Sequence, residues 1–288
     1  MELSYFDRAQ VLVEALPYIQ DYSGKTIVVK YGGDAMGDPA LRKSVITDLI
    51  LLKLVGINVV VVHGGGSEIG GVLQRAGKTC VSESGSLFID QETMALIEMV
   101  LCGKVNKELV DQLGRGGAGA VGLCGVDGGM MKAAALKGPN GEDCGLAGEI
   151  TAVEPKLILD AVKAGFIPVI STVAQGVDAD VTYSVNADAA ASKIATALRA
   201  EKLILLTGVR GLLRDKEDES TLISQARLPE IPALIREGAI SGGMLSKVEC
   251  CVEAVRNGVK RTHILDGRIP HSILIEVLSH AGSGTMIL

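Results

Sequence analysis

The sequence predicts an α/β fold: a mostly parallel sheet covered by helices on both faces. Three observations lead there. Short apolar runs of strand length alternate with longer stretches of helical periodicity. Runs such as Thr26-Ile27-Val28-Val29 and Asn58 to Val62 stay apolar or β-branched nearly throughout, as strands buried on both faces do. Glycine turns close several of them, in Lys30-Tyr31-Gly32-Gly33, His63-Gly64-Gly65-Gly66 and Thr207-Gly208. Such sheets bind ligands beyond the carboxyl ends of their strands.

Residues 4–16 read as an amphipathic helix with Phe6, Ala9, Val13 and Leu16 on one side and Pro17 ending it. After the Thr26 strand, Asp38-Pro39 is an N-cap and first-turn pair opening a helix through about Val55. The Asn58 strand leads into a helix from Ser67. Asp90 caps a long helix, Glu92 to about Leu113, before a strand from Ala120 to Leu123. Residues 130–153 read as short strands joined by turns at Pro139-Asn140-Gly141 and Asp143. Helix 155–164 precedes the strand Ile167 to Ser171, and helix 187–199 precedes the strand Lys202 to Leu206. Helices near 229–237 and 243–257 precede the strand Thr262 to Leu265; a short helix at 272–279 and a strand from Thr285 to Leu288 follow.

A chain of 288 residues suits one large α/β domain or two closely packed lobes. Only 3% is aromatic and Trp is missing, so aliphatic side chains must fill the core. The net charge is −6 with no basic run, which argues against nucleic acid as a partner. The six Cys form no C-x-x-C pair and no His stands at ligand spacing from one, so buried reduced thiols are expected and no structural metal. The first residues, MELSYFDRAQ, do not read as a signal peptide, and the apolar runs are too short to span a bilayer. A cytoplasmic, membrane-free protein is the expectation.

Two motifs mislead. Gly71 to Thr79, GVLQRAGKT, is one residue too long for a Walker A loop and looks helical rather than strand-to-helix. Gly114 to Gly119, GRGGAG, follows a helix and opens a strand, the reverse of a dinucleotide fingerprint. The strand-end glycine turns carry more weight, because exposed amides there approach anionic oxygens. Lys30, at the end of an otherwise apolar strand and just before such a turn, favours a phosphate site over an ordinary strand-end lysine. Asn186-Ala187-Asp188 opens a helix, where capping alone could explain it. Lys247, in Gly242-Gly243-Met244-Leu245-Ser246-Lys247, opposes the dipole of the helix it begins. A bound phosphate or simple solvent exposure would each account for it.

In this order, the segments LPYIQDYSGKTIVVKYGGDAM, VVVHGGG, DQETMALIEMVLCGKVNKELV, NADAAASKIATALRAEKLILLT, SGGMLSKVECCVEAV, HILDGRIPHSILIEV and GTMIL resemble the acetylglutamate kinases of arginine synthesis, within the amino acid kinase family. The resemblance spans essentially the whole chain. It implies an open αβα sandwich around the mostly parallel sheet, with an N-terminal interlacing helix (1–20), a lobe for substrate and dimerisation (21–180) and a lobe for ATP (181–288). It implies transfer of the γ-phosphoryl of ATP, with Mg2+, to the γ-carboxylate of N-acetyl-L-glutamate. By position, Lys30 and Lys247 resemble the family's transition-state lysines and Asp188 the carboxylate positioning them. Gly65, Gly66, Leu87, Ser184 and Asn186 fall at substrate positions. Gly32, Gly33, Thr207, Gly208, Gly243 and Met244 fall at ATP positions. Glu276 and Gly282 match an arginine effector site. The helix before Leu-Pro-Tyr-Ile resembles that of arginine-sensitive hexameric members, which implies a homo-oligomer, a dimer or a trimer of dimers.

The departures cluster at ligand loops. The family's G-[LM]-R-V-T-D reads Gly85-Ser86-Leu87-Phe88-Ile89-Asp90, so Leu87 replaces an Arg that clamps a carboxylate. Ser184 replaces an Asn, Gly208 an Asp or Asn, Ser67 and Ser246 each a Pro, Val126 a Lys, and Ser283 an apolar residue. Two alternatives follow: a family kinase for another small carboxylate or a carrier-linked amino acid, and a non-catalytic subunit binding nucleotide or arginine.

Overall fold

The computed structural model describes residues 4–32, 34–81, 87–177, 180–280 and 282–288. Helix α1 (Tyr5–Tyr22) precedes β1 (Thr26–Tyr31), α2 (Asp34–Gly37), α3 (Pro39–Leu54), β2 (Asn58–His63) and α4 (Gly66–Arg75). Next, α5 (Gln91–Glu98) widens into π-type turns over Met99–Val105 and continues as α6 (Asn106–Arg115). The middle of the chain holds β3 (Ala120–Cys124), β4 (Met131–Lys137), β5 (Asp143–Val153), α7 (Lys156–Lys163), β6 (Ile167–Ser171), β7 (Val173–Gly176), β8 (Thr182–Val185) and α8 (Ala187–Ala197). Last come β9 (Lys202–Thr207), β10 (Gln225–Ala226), α9 (Ile231–Arg236), α10 (Gly243–Arg256), β11 (Arg261–Asp266), α11 (Ser272–Leu278) and β12 (Thr285–Ile287).

Eight strands form one sheet in the order β10-β12-β11-β9-β1-β2-β6-β3, parallel throughout except where β12 returns against β11. The apolar strands bury both faces, and the period of two sorts them. Val28, Val60, Val62, Leu203 and Leu205 pack in one core that includes Ala190 and Ile194 of α8 and Val248 and Cys251 of α10. Ile27, Val29, Val59, Val61 and Ile204 pack in the other, with residues of α3, α6 and α11. The expected αβα sandwich is therefore present. Beside it, β4, β5, β8 and β7 pair in a closed ring, and a third, smaller core joins ring residues Cys144 and Ala147 to Ile89, Met94, Ile97 and Leu101.

Two expectations are corrected. Pro17 does not end the first helix, which runs on to Tyr22. A proline inside a helix costs about 3 kcal/mol, offset here by anchoring of the last turns: Tyr22 is buried and Tyr18 sits edge-on to His280, ring centroids 5.1 Å apart. The 130–153 region forms two longer strands rather than several short ones. The segments 173–176 and 182–185 are strands of the ring, the second being the strand-like stretch that leads to Asn186.

Gly145 pins this ring to the chain before α5. Its φ is +61°, and a Cβ there would lie 2.2 Å from the Ile89 carbonyl oxygen. Both the left-handed backbone and the close approach require glycine. Gly145→Ala is expected to cost about 3 kcal/mol of stability, read as a lower urea midpoint. An unchanged midpoint would show that the Ile89 contact carries no constraint.

Candidate active site

Three side chains from three elements meet where the central strands end. Lys30 is near the end of β1, which lies between β9 and β2. Asp188 sits in the first turn of α8, whose N-cap Asn186 accepts from the amides of Asp188 (2.9 Å) and Ala189 (3.1 Å). Lys247 lies in the first turns of α10. Lys30 Nζ is 3.0 Å from Asp188 Oδ1, and Lys247 Nζ donates to Asp188 Oδ2 at 2.5 Å. One carboxylate thus holds two ammonium groups, leaving a net positive charge. The Asp188 and Lys30 side chains are only 8% and 11% exposed, so this charge acts in a poorly screened place. Burial alone would raise the Asp188 carboxyl, but the charges of Lys30 and Lys247 and their hydrogen bonds outweigh it and hold it below the usual carboxylate range.

The glycine turns close around this group. A Cβ on Gly32 would lie 3.1 Å from Lys30 Nζ, so glycine lets the ammonium rest against the turn. The Gly64 amide donates to the Tyr31 carbonyl at 3.2 Å, tying the second turn to the first. A Cβ on Gly64 would meet the Ala187 methyl at 3.5 Å, which brings the start of α8 against the same turn. Gly33 lies outside the described residues. Of the positions expected for ATP, Gly208 follows β9, and Gly243 and Met244 open α10 after Gly242, whose φ is +55°. The Thr207 hydroxyl is used internally, its one proton directed to the carbonyl of Val209 (3.0 Å) or of Leu265 (3.3 Å). The Met244 amide is bonded to the Ser241 carbonyl at 3.2 Å.

A cavity of about 880 Å³ adjoins the start of α8. Gly66, Leu87, Ser184 and Asn186, four of the five positions expected for substrate, line it together with Ile69 and Leu73. Gly65 is instead packed behind, where a Cβ would come within 2.9 Å of the Leu101 side chain on the π-type turn. Glu276 and Gly282 meet at a separate cavity of about 320 Å³ that Tyr18 and Tyr22 of α1 also line.

The sequence reading gave His63 no role of its own. Its Nδ1 donates to the Gly64 carbonyl at 2.9 Å, and its Nε2 faces Asn106 Nδ2 at 3.1 Å. The Asn106 amide also donates to the Val169 carbonyl at 2.8 Å, and Lys107 Nζ donates to Asn106 Oδ1 at 3.0 Å. With its oxygen so engaged, Asn106 presents N–H to the ring, and His63 Nε2 must be the acceptor. The signal was available: Asn106 is a polar residue on the buried side of a helix.

A strand-end lysine, a carboxylate at a helix start and a second lysine, ringed by glycine turns on a parallel sheet, define a phosphotransferase of the amino acid kinase type. The chain belongs to the amino acid kinase family, whose model matches residues 25–266. Within it, the chain is 52% identical to the acetylglutamate kinase of Clostridium kluyveri, over 99% of this chain and 100% of that one. It is 50% identical to the acetylglutamate kinase of Heliobacterium modesticaldum, over 99% of each. Among solved structures, the N-acetylglutamate synthase of Neisseria gonorrhoeae complexed with coenzyme A and N-acetyl-glutamate shares the fold, with a TM-score of 0.83 at 24% identity, over 99% of this chain and 63% of that chain. The carbamate kinase of Giardia lamblia bound to AMP-PNP does so with a TM-score of 0.66 at 18% identity, over 93% of this chain and 99% of that one.

Lys30→Ala and Lys247→Ala are each expected to lower turnover by roughly 10²–10³ with an unchanged circular dichroism spectrum. Full activity in either variant would remove that lysine from the chemistry. A second prediction concerns pH. Burial pushes His63 down to about 4 from 6.5. As pH falls, the unfolded chain takes the proton first. Stability is therefore present above about 6.5 and lost down to about 4, by on the order of 3 kcal/mol. Urea unfolding at pH 7 and pH 4.5 should show a smaller acid loss in His63→Gln than in the wild type. Equal losses would mean that His63 takes up no proton on unfolding.

Proposed function

We propose that this chain transfers the γ-phosphoryl group of ATP to the γ-carboxylate of N-acetyl-L-glutamate, the acetylglutamate kinase step of arginine biosynthesis. The supporting observation is the Lys30–Asp188–Lys247 group beside an acceptor cavity, in a chain half-identical to acetylglutamate kinases. A carboxylate oxygen attacks phosphorus, the new O–P bond forms as the P–O bond to ADP breaks, and the products are an acyl phosphate and ADP. A carboxylate is already deprotonated at neutral pH, so the step needs no general base. What it needs is stabilisation of charge spread over the transferring oxygens. Lys30 and Lys247 meet that charge, and Asp188 holds both ammonium groups in place. The Gly32 amide, with Gly208 and Gly243, would border the nucleotide phosphates; Gly33 is assigned there by the resemblance alone.

Both Asp188 oxygens face lysines, and among the described residues no three His, Cys, Asp or Glu side chains group as metal ligands. Mg2+ would enter with ATP and would supply charge neutralisation at the phosphates. The lobe of residues 21–180 supplies most of the acceptor cavity and that of residues 181–288 most of the ATP site, with Ser184 and Asn186 reaching the acceptor and Gly32 the nucleotide from the other lobe. No helix among the described residues is long and apolar enough to cross a membrane.

The reading extends to assembly and control. Phe6, Leu12 and Val13 on α1 are 76%, 73% and 62% exposed, an apolar face this subunit does not cover. A second copy of the same helix covers it in a trimer of dimers. At the α1 cavity, Glu276 Oε1 is 2.9 Å from His263 Nδ1, and Glu276 Oε2 accepts from the Ser283 amide at 3.0 Å. Burial would raise the Glu276 carboxyl, but His263 and the Ser283 amide hold it below the usual range, so it is anionic. That carboxylate, beside the left-handed Gly282, suits the guanidinium of arginine as an inhibitor.

One observation favours another acceptor. Leu87 and Ser184 line the cavity where the relatives' pattern has Arg and Asn. ADP release with acetylglutamate and a panel of small carboxylates decides: fastest turnover with acetylglutamate is expected, and no turnover with any acceptor would sink the kinase reading. Leu87→Arg with Ser184→Asn should lower the KM for acetylglutamate and leave that for ATP nearly unchanged. Deleting residues 1–16 should leave a dimer by light scattering and abolish arginine inhibition. A full-length protein that runs as a dimer would refute the trimer of dimers.

A further inference from the structure

Acetylglutamate carries two carboxylates. If one accepts the phosphoryl group at Lys30 and Lys247, the other must enter the adjoining cavity, most of whose wall is apolar. A carboxylate placed against such a wall without a cation is strongly disfavoured. Leu87 cannot serve. Among the described residues lining the cavity, two cations remain, Lys78 and Lys193.

Their surroundings separate them. Lys193 pairs with Glu253, and Glu253 lines the same cavity, so that stretch of wall is neutral as it stands. Lys78 Nζ pairs with Asp90 (3.4 Å) and Glu92 (2.5 Å), and neither of those carboxylates lines the cavity. Those partners are 47% and 78% exposed, and exposed pairs of this kind are weak and readily exchanged. Lys78 also stands beside the position of the missing Arg. Val81 bridges to Leu87, the Phe88 amide donates to the Cys80 carbonyl at 2.9 Å, and Thr79 and Cys80 line the cavity next to Leu87.

We propose that Lys78, reaching across this pairing, binds the carboxylate of the acceptor that does not react, in place of an arginine at position 87. This rests on the acetylglutamate kinase reading. A lysine offers a point charge where an arginine offers a two-pronged match, so Lys78 determines acceptor binding without touching the reacting atoms.

The test is a split between KM and kcat, with acetylglutamate binding measured by calorimetry alongside. Lys78→Met should raise the KM and Kd for acetylglutamate tenfold or more, with kcat and the KM for ATP within about twofold. Lys78→Arg should stay near wild type, and Leu87→Arg placed in the Lys78→Met background should restore most of the affinity. Lys193→Met should change the KM for acetylglutamate less than threefold. A wild-type enzyme that works and a Lys78→Met variant with unchanged KM and Kd would overturn the assignment and leave the kinase reading intact. A larger effect from Lys193→Met would transfer the role to Lys193. A wild-type protein that neither turns over nor binds acetylglutamate would overturn both.

Discussion

The active-site architecture depends on one carboxylate shared by two lysines. Asp188 is buried and ionised, and an unpaired charge there would be strongly disfavoured. Lys30 and Lys247 remove that cost only if β1, α8 and α10 are all in register. The interaction therefore couples the centre of the sheet to the two helices on one face. It also keeps two like charges close together before any phosphate arrives. Without the carboxylate, the ammonium groups would repel each other and part.

The layers around this group serve its geometry. The glycine turns after β1 and β2 are bonded to each other through Gly64 and Tyr31, and His63 holds the Gly64 carbonyl from behind. Asn106 reaches His63 because α5 widens into π-type turns before α6, and the same turns press Leu101 against Gly65. Such widened turns are frequent at functional sites. On the far side of the cavity, Gly145 accepts the chain at Ile89 so closely that no side chain fits. That contact carries the segment bearing Leu87 onto the ring of β4, β5, β8 and β7.

The first helix and the cavity at Glu276 are one unit of structure. Tyr18 and Tyr22 line that cavity, and Tyr18 packs on His280. A force on the exposed half of α1 would thus be felt at Glu276. From Glu276, His263 of β11 leads to Lys202 of β9, with Lys202 Nζ 3.3 Å from His263 Nε2. β9 pairs directly with β1, the strand that carries Lys30. A connected path of strands and side chains runs from the helix to the lysine.

The sequence by itself determined the sheet, the helices that cover it and the glycine turns at the strand ends. These are local properties: apolar runs, caps at Asp38 and Asp90, and glycines where strands end. Lys30 was legible by its place at the end of an apolar strand before a glycine turn, whereas Asp188 and Lys247 each had an ordinary local explanation, capping and solvent exposure, and stood out only through the family resemblance. The tertiary structure alone decided the rest. It carried α1 through Pro17, since distant partners anchor Tyr18 and Tyr22. It made strands of 173–176 and 182–185, which pair within the ring and bury Val173, Ala174, Tyr183 and Val185. It joined His63 to Asn106, 43 residues apart, and set Lys78 beside Leu87 at the cavity wall. Residues far apart in the chain meet only once the helices and strands pack, and no local periodicity records where they will land.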